Sequence, residues 1–215
     1  MTAEKKTNSS VHRKAGERDA LLNSDWRYIK PCNMDDYSRE DWADMNRQRA
    51  TYMGEQRAKQ ALEMLTASRN APTFGYLINN YEHCLQTATM LYQDGRDEDT
   101  IVTGPFHDLG FIVCPEAHGR FAADLIRPFV SKKNIWMLEH HEIFQRIHLH
   151  GYYQPENPEF INEREQWRGH PYFDWTAEFI ERYDIVAINP DIESLPIEFF
   201  EPIVRRVFSR SPSTT

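Results

Sequence analysis

The chain has 215 residues, enough for one domain of ordinary size, and 40% of them are apolar. Its net charge of −8 and the lack of a basic run interleaved with aromatics argue against binding to nucleic acid or an anionic membrane surface, and no apolar stretch is long enough to span a bilayer. Three widely spaced cysteines, Cys32, Cys84 and Cys114, form neither a disulfide framework nor a thiolate zinc motif; they point to a reducing, cytoplasmic setting.

Residues 1–25 are polar, lack the apolar block of a signal peptide and read as a disordered tail, with a single domain expected over 26–210. Residues 26–36 carry Pro31 and read as an ordered loop. Asp36 or Ser38 can cap a helix from about 39 to 69, rich in strong helix formers. Residues 70–75 break it, and 77–93 form the next helix. After a turn at Gly95, a helix over 99–108 is disturbed by Gly104 and Pro105. Residues 109–117 are irregular, and helices follow at 118–129 and 134–147. Residues 150–171 hold Gly151, Pro155, Pro158, Gly169 and Pro171; a loop of that length inside a compact domain suggests a lid. Helices at 172–188 and 197–208 complete an all-α chain. Trp136, Phe173, Trp175 and Tyr183 read as core, and Arg205 and Arg206 as a solvated helix face.

Of nine histidines, most lie between 83 and 150. The dipeptide His107–Asp108 sits where the helix is distorted, so both side chains can approach a metal. An imidazole ends on one ion, whereas a carboxylate can bridge two. Asp184 lies among Ile180, Ile185 and Ile188, and a carboxylate buried there needs a partner such as a metal.

His83, His107–Asp108 and Asp184 match the H…HD…D pattern of the HD-domain superfamily. The segments HCLQTA (83–88), HDLG (107–110), HGRFAADLIRPF (118–129), MLEHH (137–141) and ERYDIVAINPD (181–191) resemble its diiron oxygenase branch, which includes myo-inositol oxygenase and phosphonate-cleaving enzymes. The resemblance covers about residues 75–208. It implies an HD helical bundle with two iron ions: His83, His107 and Asp184 on one, His118 and His141 on the other, and Asp108 between them. His140 is the rival to His141. His148, His150 and His170 are expected beside the site, in the lid or at the surface.

The sequence departs from these oxygenases where they grip anionic or polyol substrates. Thr73 and Tyr76 stand near positions held there by Tyr and Glu, Phe111 where Lys or His is usual, Gln145 where Lys is common, and Glu181 where the phosphonate enzymes carry Arg. Tyr76, Phe111, Gln145, Arg146, His148 and Glu181 are the candidate substrate-binding residues. The resulting expectation is an oxygenase that uses two irons (Fe2+/Fe3+) and O2 to oxidise or cleave a small polar substrate. An HD-type phosphohydrolase is the alternative, and a non-catalytic metal-binding or interaction domain the third. A monomer or homodimer is expected.

Overall fold

The computed structural model describes residues 26–149 and 163–211, which places the expected tail and most of the expected lid, His12 and His150 included, outside the described residues. The described residues are helical and contain no strand, so the chain is all-α. It parts into two compact units between Glu55 and Gln56, within the helix α1 (Arg39–Thr66).

In the first unit, Met34–Asp36 is a 3-10 turn capped by the Asn33 side chain, so Asp36 is used there and Ser38 caps α1. The Ser38 hydroxyl accepts from the Asp41 backbone N–H at 3.1 Å, and the Asp41 carboxylate accepts from the Ser38 N–H at 2.9 Å. This reciprocal pair satisfies two N–H groups that a helix start leaves unpaired. Arg27 reaches Asp44 at 2.6 Å and Glu40 at 3.2 Å.

In the second unit, α2 (Asn80–Gln93) lies at the centre, and nine of its fourteen residues are buried. It begins three residues later than the apolar pattern suggests. Asn79 and Glu82 form a capping box there, so Leu77 and Ile78 fall outside the helix. Two short helices, α3 (Glu98–Ile101) and α4 (Thr103–Phe106), follow. Gly104 of α4 lies against α2: a Cβ at Gly104 would come within 2.6 Å of the Ala88 Cα. A 3-10 turn at Pro115–Ala117 leads into α5 (His118–Ile126), which packs against α6 (Lys132–Gln145). Gly119 sets that approach, since a Cβ there would sit 2.4 Å from the Leu138 carbonyl oxygen. The last helix, α8 (Ile197–Phe208), buries Ile197, Phe200, Ile203, Val204, Val207 and Phe208 along one face, and Phe208 stacks on Phe129 at 4.9 Å.

The helix expected over 172–188 is shorter and changes type. The helix α7 (Phe173–Phe179) passes into a π turn, Ile180–Asp184, closed by the Ile185 N–H on the Ile180 carbonyl at 3.1 Å. At the end of this element the Tyr183 carbonyl accepts from the Thr87 hydroxyl of α2 at 3.1 Å. On the outer side, the Tyr183 hydroxyl donates to Asp94 at 2.6 Å and accepts from Arg96 at 2.9 Å. Phe173, Trp175 and Tyr183 are buried, and Trp136 packs against the core. Arg205 pairs with Glu201 and Arg206 with Glu98, both on the exposed side of α8.

Candidate metal centre

The six residues His83, His107, Asp108, His118, His141 and Asp184 come from five places in the second unit and converge on one buried point. His83 lies on α2, His107 and Asp108 follow α4, His118 begins α5, His141 lies on α6, and Asp184 ends the π turn. All six are buried.

Each histidine is held by its Nδ1. His83 Nδ1 lies 2.9 Å from the Ala187 carbonyl, His107 Nδ1 2.8 Å from Gly104, His118 Nδ1 2.8 Å from Pro115, and His141 Nδ1 2.7 Å from Leu138. A carbonyl can only accept, so each Nδ1 carries the proton and each Nε2 presents a lone pair inward. These lone pairs meet in two couples. His83 Nε2 and His107 Nε2 are 2.9 Å apart, and His118 Nε2 and His141 Nε2 are 3.0 Å apart. Two bare nitrogens at that distance repel unless a cation or proton is shared between them.

Asp108 belongs to both couples. Its Oδ1 lies 3.2 Å from His118 Nε2 and 3.3 Å from His141 Nε2, and its Oδ2 lies 3.6 Å from His83 Nε2. Asp184 Oδ1 adds a second carboxylate to the first couple, 3.4 Å from His83 and 3.8 Å from His107. Two groups capable of holding a metal result, one of His83, His107 and Asp108 and one of Asp108, His118 and His141, with donor atoms within 4.8 Å of one another. An ion bound at about 2.0–2.2 Å places neighbouring donors about 3.0–3.5 Å apart, so the spacing and the nitrogen–oxygen donor set fit two transition-metal ions sharing Asp108.

The electrostatics of the cluster describe the same need for positive charge. Burial opposes a charged His83, but the hydrogen bond to Asp184 and the charges of Asp108 and Asp184 prevail and raise its pKa to about 9. His118 is likewise raised to about 9, burial being outweighed by its bond to Asp108. His141 is raised by the same carboxylate against its burial, whereas His107 is lowered, burial being its dominant influence. Burial pushes the Asp108 carboxyl upward, yet His107, His118 and His141 hold it well below the usual range. Without metal, protons take the place of cations.

His140 points elsewhere. Its Nδ1 lies 2.8 Å from the Trp136 carbonyl, and its ring stacks on Trp136 at 4.1 Å. His170 stacks on the same indole at 4.1 Å.

A cavity of about 410 Å3 opens onto the first couple. His83, Asp108 and Asp184 form part of its wall, and Tyr76, Phe111, Gln145 and His148 line it. Arg146 and Glu181, expected at the substrate, are not on this wall. Arg146 is paired with Glu163 on the following 3-10 turn, Glu163–Trp167, and Glu181 faces Arg164 at 3.6 Å on the outer side of the π turn.

Several supporting roles were not foreseen, that of Gln145, expected only as a substrate contact, among them. Gln145 Nε2 donates to Asp184 Oδ2 at 2.6 Å, leaving Oδ1 turned toward the histidines. Asn80 Nδ2 donates to the Asp108 carbonyl at 3.0 Å, and Gln86 Nε2 donates to the Asn189 and Ile192 carbonyls at 2.8 and 3.0 Å, fastening the segment after Asp184 to α2. Glu82 serves the α2 cap. Only the Asn79–Glu82 pair had a readable motif; Asn80 and Thr87 act across distances in sequence that no local pattern encodes. No protein-family model matches the chain, and no curated protein matches it.

Proposed function

We propose that this chain is an HD-type, non-haem diiron oxygenase that uses dioxygen to oxidise or oxidatively cleave a small polar substrate. The observation that carries the reading is the pair of imidazole couples, each with its lone pairs facing inward, joined by the two oxygens of Asp108. His83, His107 and Asp184 would hold one iron, His118 and His141 the other, and Asp108 would be shared. Bound there, the iron pair supplies Lewis acidity toward a substrate head group and the electrons that dioxygen chemistry needs.

The protein's own residues set which side the substrate meets. The cavity reaches His83, Asp108 and Asp184 but not His107, His118 or His141, so a substrate arrives at the first couple. Gln145 stands on that wall and fixes the Asp184 carboxylate through one oxygen. The carbonyl tethers on all four Nδ1 atoms hold the rings in place before any ion binds, which lowers the cost of assembling the site. A phosphohydrolase would use the same six residues, but it needs cations around a phosphate, and the described residues lining the cavity include no lysine or arginine. The free cysteines fit a reducing cytoplasm.

Electron paramagnetic resonance on iron-loaded protein, partly reduced with ascorbate, tests the reading. A spin-coupled signal at g values below that of the free electron, altered by candidate substrates, is expected. Two zinc or manganese ions bound in preference to iron, with phosphate released from phosphoesters, would replace this reading with the hydrolase.

A further inference from the structure

The four imidazoles of the cluster are not held alike. At Nδ1, His83, His107 and His141 meet a backbone carbonyl. His118 Nδ1 meets the Pro115 carbonyl at 2.8 Å and, in addition, the Glu142 carboxylate at 3.3 Å. Among the described residues, His118 is the ring of the four that has a carboxylate at its outer nitrogen; the others meet Asp108 or Asp184 at Nε2.

The same oxygen, Glu142 Oε1, accepts from the Gly119 backbone N–H at 3.4 Å. No side chain caps α5 at its own start, so an N–H that the first turn leaves without a helical partner is met from α6. Glu142 follows His141 directly. It therefore joins the two helices that carry His118 and His141, at the place where Gly119 lets them approach.

The couples also differ in their carboxylates. Asp108 is shared, and Asp184 stands beside His83 and His107. The second group of possible ligands, Asp108, His118 and His141, has no carboxylate of its own. Two cations in the cluster would thus meet unequal negative charge. A carboxylate at the outer nitrogen of a ligating imidazole makes that ring a stronger donor and fixes its orientation. The Glu142 side chain is 31% exposed, so solvent weakens its charge without removing it.

Building on the two-ion reading above, we propose that Glu142 is a positioning residue for the ion of the second couple. Acting through His118, it supplies negative charge that this couple lacks in its direct contacts, and it keeps the ring aimed inward.

The test is anaerobic titration of metal-free protein with Fe2+ against a chromophoric chelator, which resolves the binding steps. The step that disappears in His141→Ala belongs to the second couple. Glu142→Gln keeps the length of the side chain and an acceptor for Gly119 but removes the charge. In this variant the second couple is expected to bind about 10-fold more weakly, the low end for such supporting groups because solvent reaches the carboxylate, while the other step holds. Glu142→Asp, which keeps the charge on a shorter arm, is expected to fall between. Glu139→Gln, which alters a neighbouring carboxylate of α6 paired with Arg127, is expected to change neither step. All variants are compared at native circular dichroism.

Both steps unchanged in Glu142→Gln, both weakened equally, or a greater loss in Glu142→Asp than in Glu142→Gln would each overturn the proposal while leaving the two-ion reading in place. Uptake of a single ion by the unaltered protein would overturn that reading, and this inference with it.

Discussion

Gln145 and Asp184 are joined by a 2.6 Å hydrogen bond between the last residue of α6 and the last residue of the π turn. The bond ties Oδ2 of the carboxylate and leaves Oδ1 for His83 and His107, so a neutral amide in the cavity wall decides how Asp184 is presented to the cluster.

Replacing Gln145 therefore acts on metal affinity before it acts on substrate. Gln145→Ala is expected to weaken binding at the first couple by about 10–100-fold, the range typical of groups that orient a metal ligand. Gln145→Glu is expected to be worse, because it places a second carboxylate against Asp184. Competition with a chromophoric chelator measures both; unchanged affinity in both variants, with native circular dichroism, would remove Gln145 from this role.

The two neighbouring histidines of α6 separate cleanly by stoichiometry. On the two-ion proposal, His141→Ala is expected to bind one ion and the unaltered protein two, because the second couple loses a donor. His140→Ala is expected to keep two, its ring being stacked on Trp136. Metal analysis after gel filtration reads the difference, and two ions retained in His141→Ala would exclude it as a ligand.

Glycines at the helix crossings limit what the site tolerates. Gly119→Ala drives a Cβ to 2.4 Å from the Leu138 carbonyl and to 3.0 Å from the His141 ring. Overpacking of this kind costs about 1–3 kcal/mol, and it should also loosen the His118–His141 couple. Gly104→Ala meets the α2 backbone at 2.6 Å and should behave alike. Gly54 in α1 has nothing within 4 Å of a built Cβ, so Gly54→Ala should stabilise by about 0.5–1 kcal/mol. Thermal melts of the three variants give the comparison; equal melting temperatures would contradict it.

Metal-free protein should lose stability as the solution becomes alkaline. His83 and His118 are raised to about 9 in the folded state from an ordinary 6.5, and His141 is raised as well. A raised pKa contributes stability that is complete below 6.5 and disappears as pH passes through the folded value. His107, lowered by burial, works in the opposite sense below 6.5. The melting temperature of chelator-treated protein should thus fall between pH 7 and about pH 9. Metal-loaded protein should not fall with it, because the ions need deprotonated imidazoles and displace those protons. Parallel curves for the two forms would show that these histidines do not exchange protons for metal.

Much of this molecule is written in short-range pattern. Apolar periodicity defines α5 and α8, strong helix formers define α1, and Asn79 with Glu82 marks where α2 starts. The H…HD…D order and the segments around it mark six candidate positions through their resemblance to the HD oxygenases; among nine histidines, residue type alone does not single them out. The fold alone decides what those residues do together. Whether His140 or His141 faces inward depends on α6 lying against Gly119, which fixes the helix's rotation. Asp184 reaches the cluster from the end of the π turn, which Thr87 of α2 ties down through the Tyr183 carbonyl. Arg146 and Glu181 pair with Glu163 and Arg164 away from the cavity wall, which gathers Phe74, Phe111 and Ile188 from places far apart in sequence. Local sequence fixes which groups exist and which face of a helix is apolar; the mutual angles of packed helices, which depend on side chains distant in the chain, decide which of those groups meet.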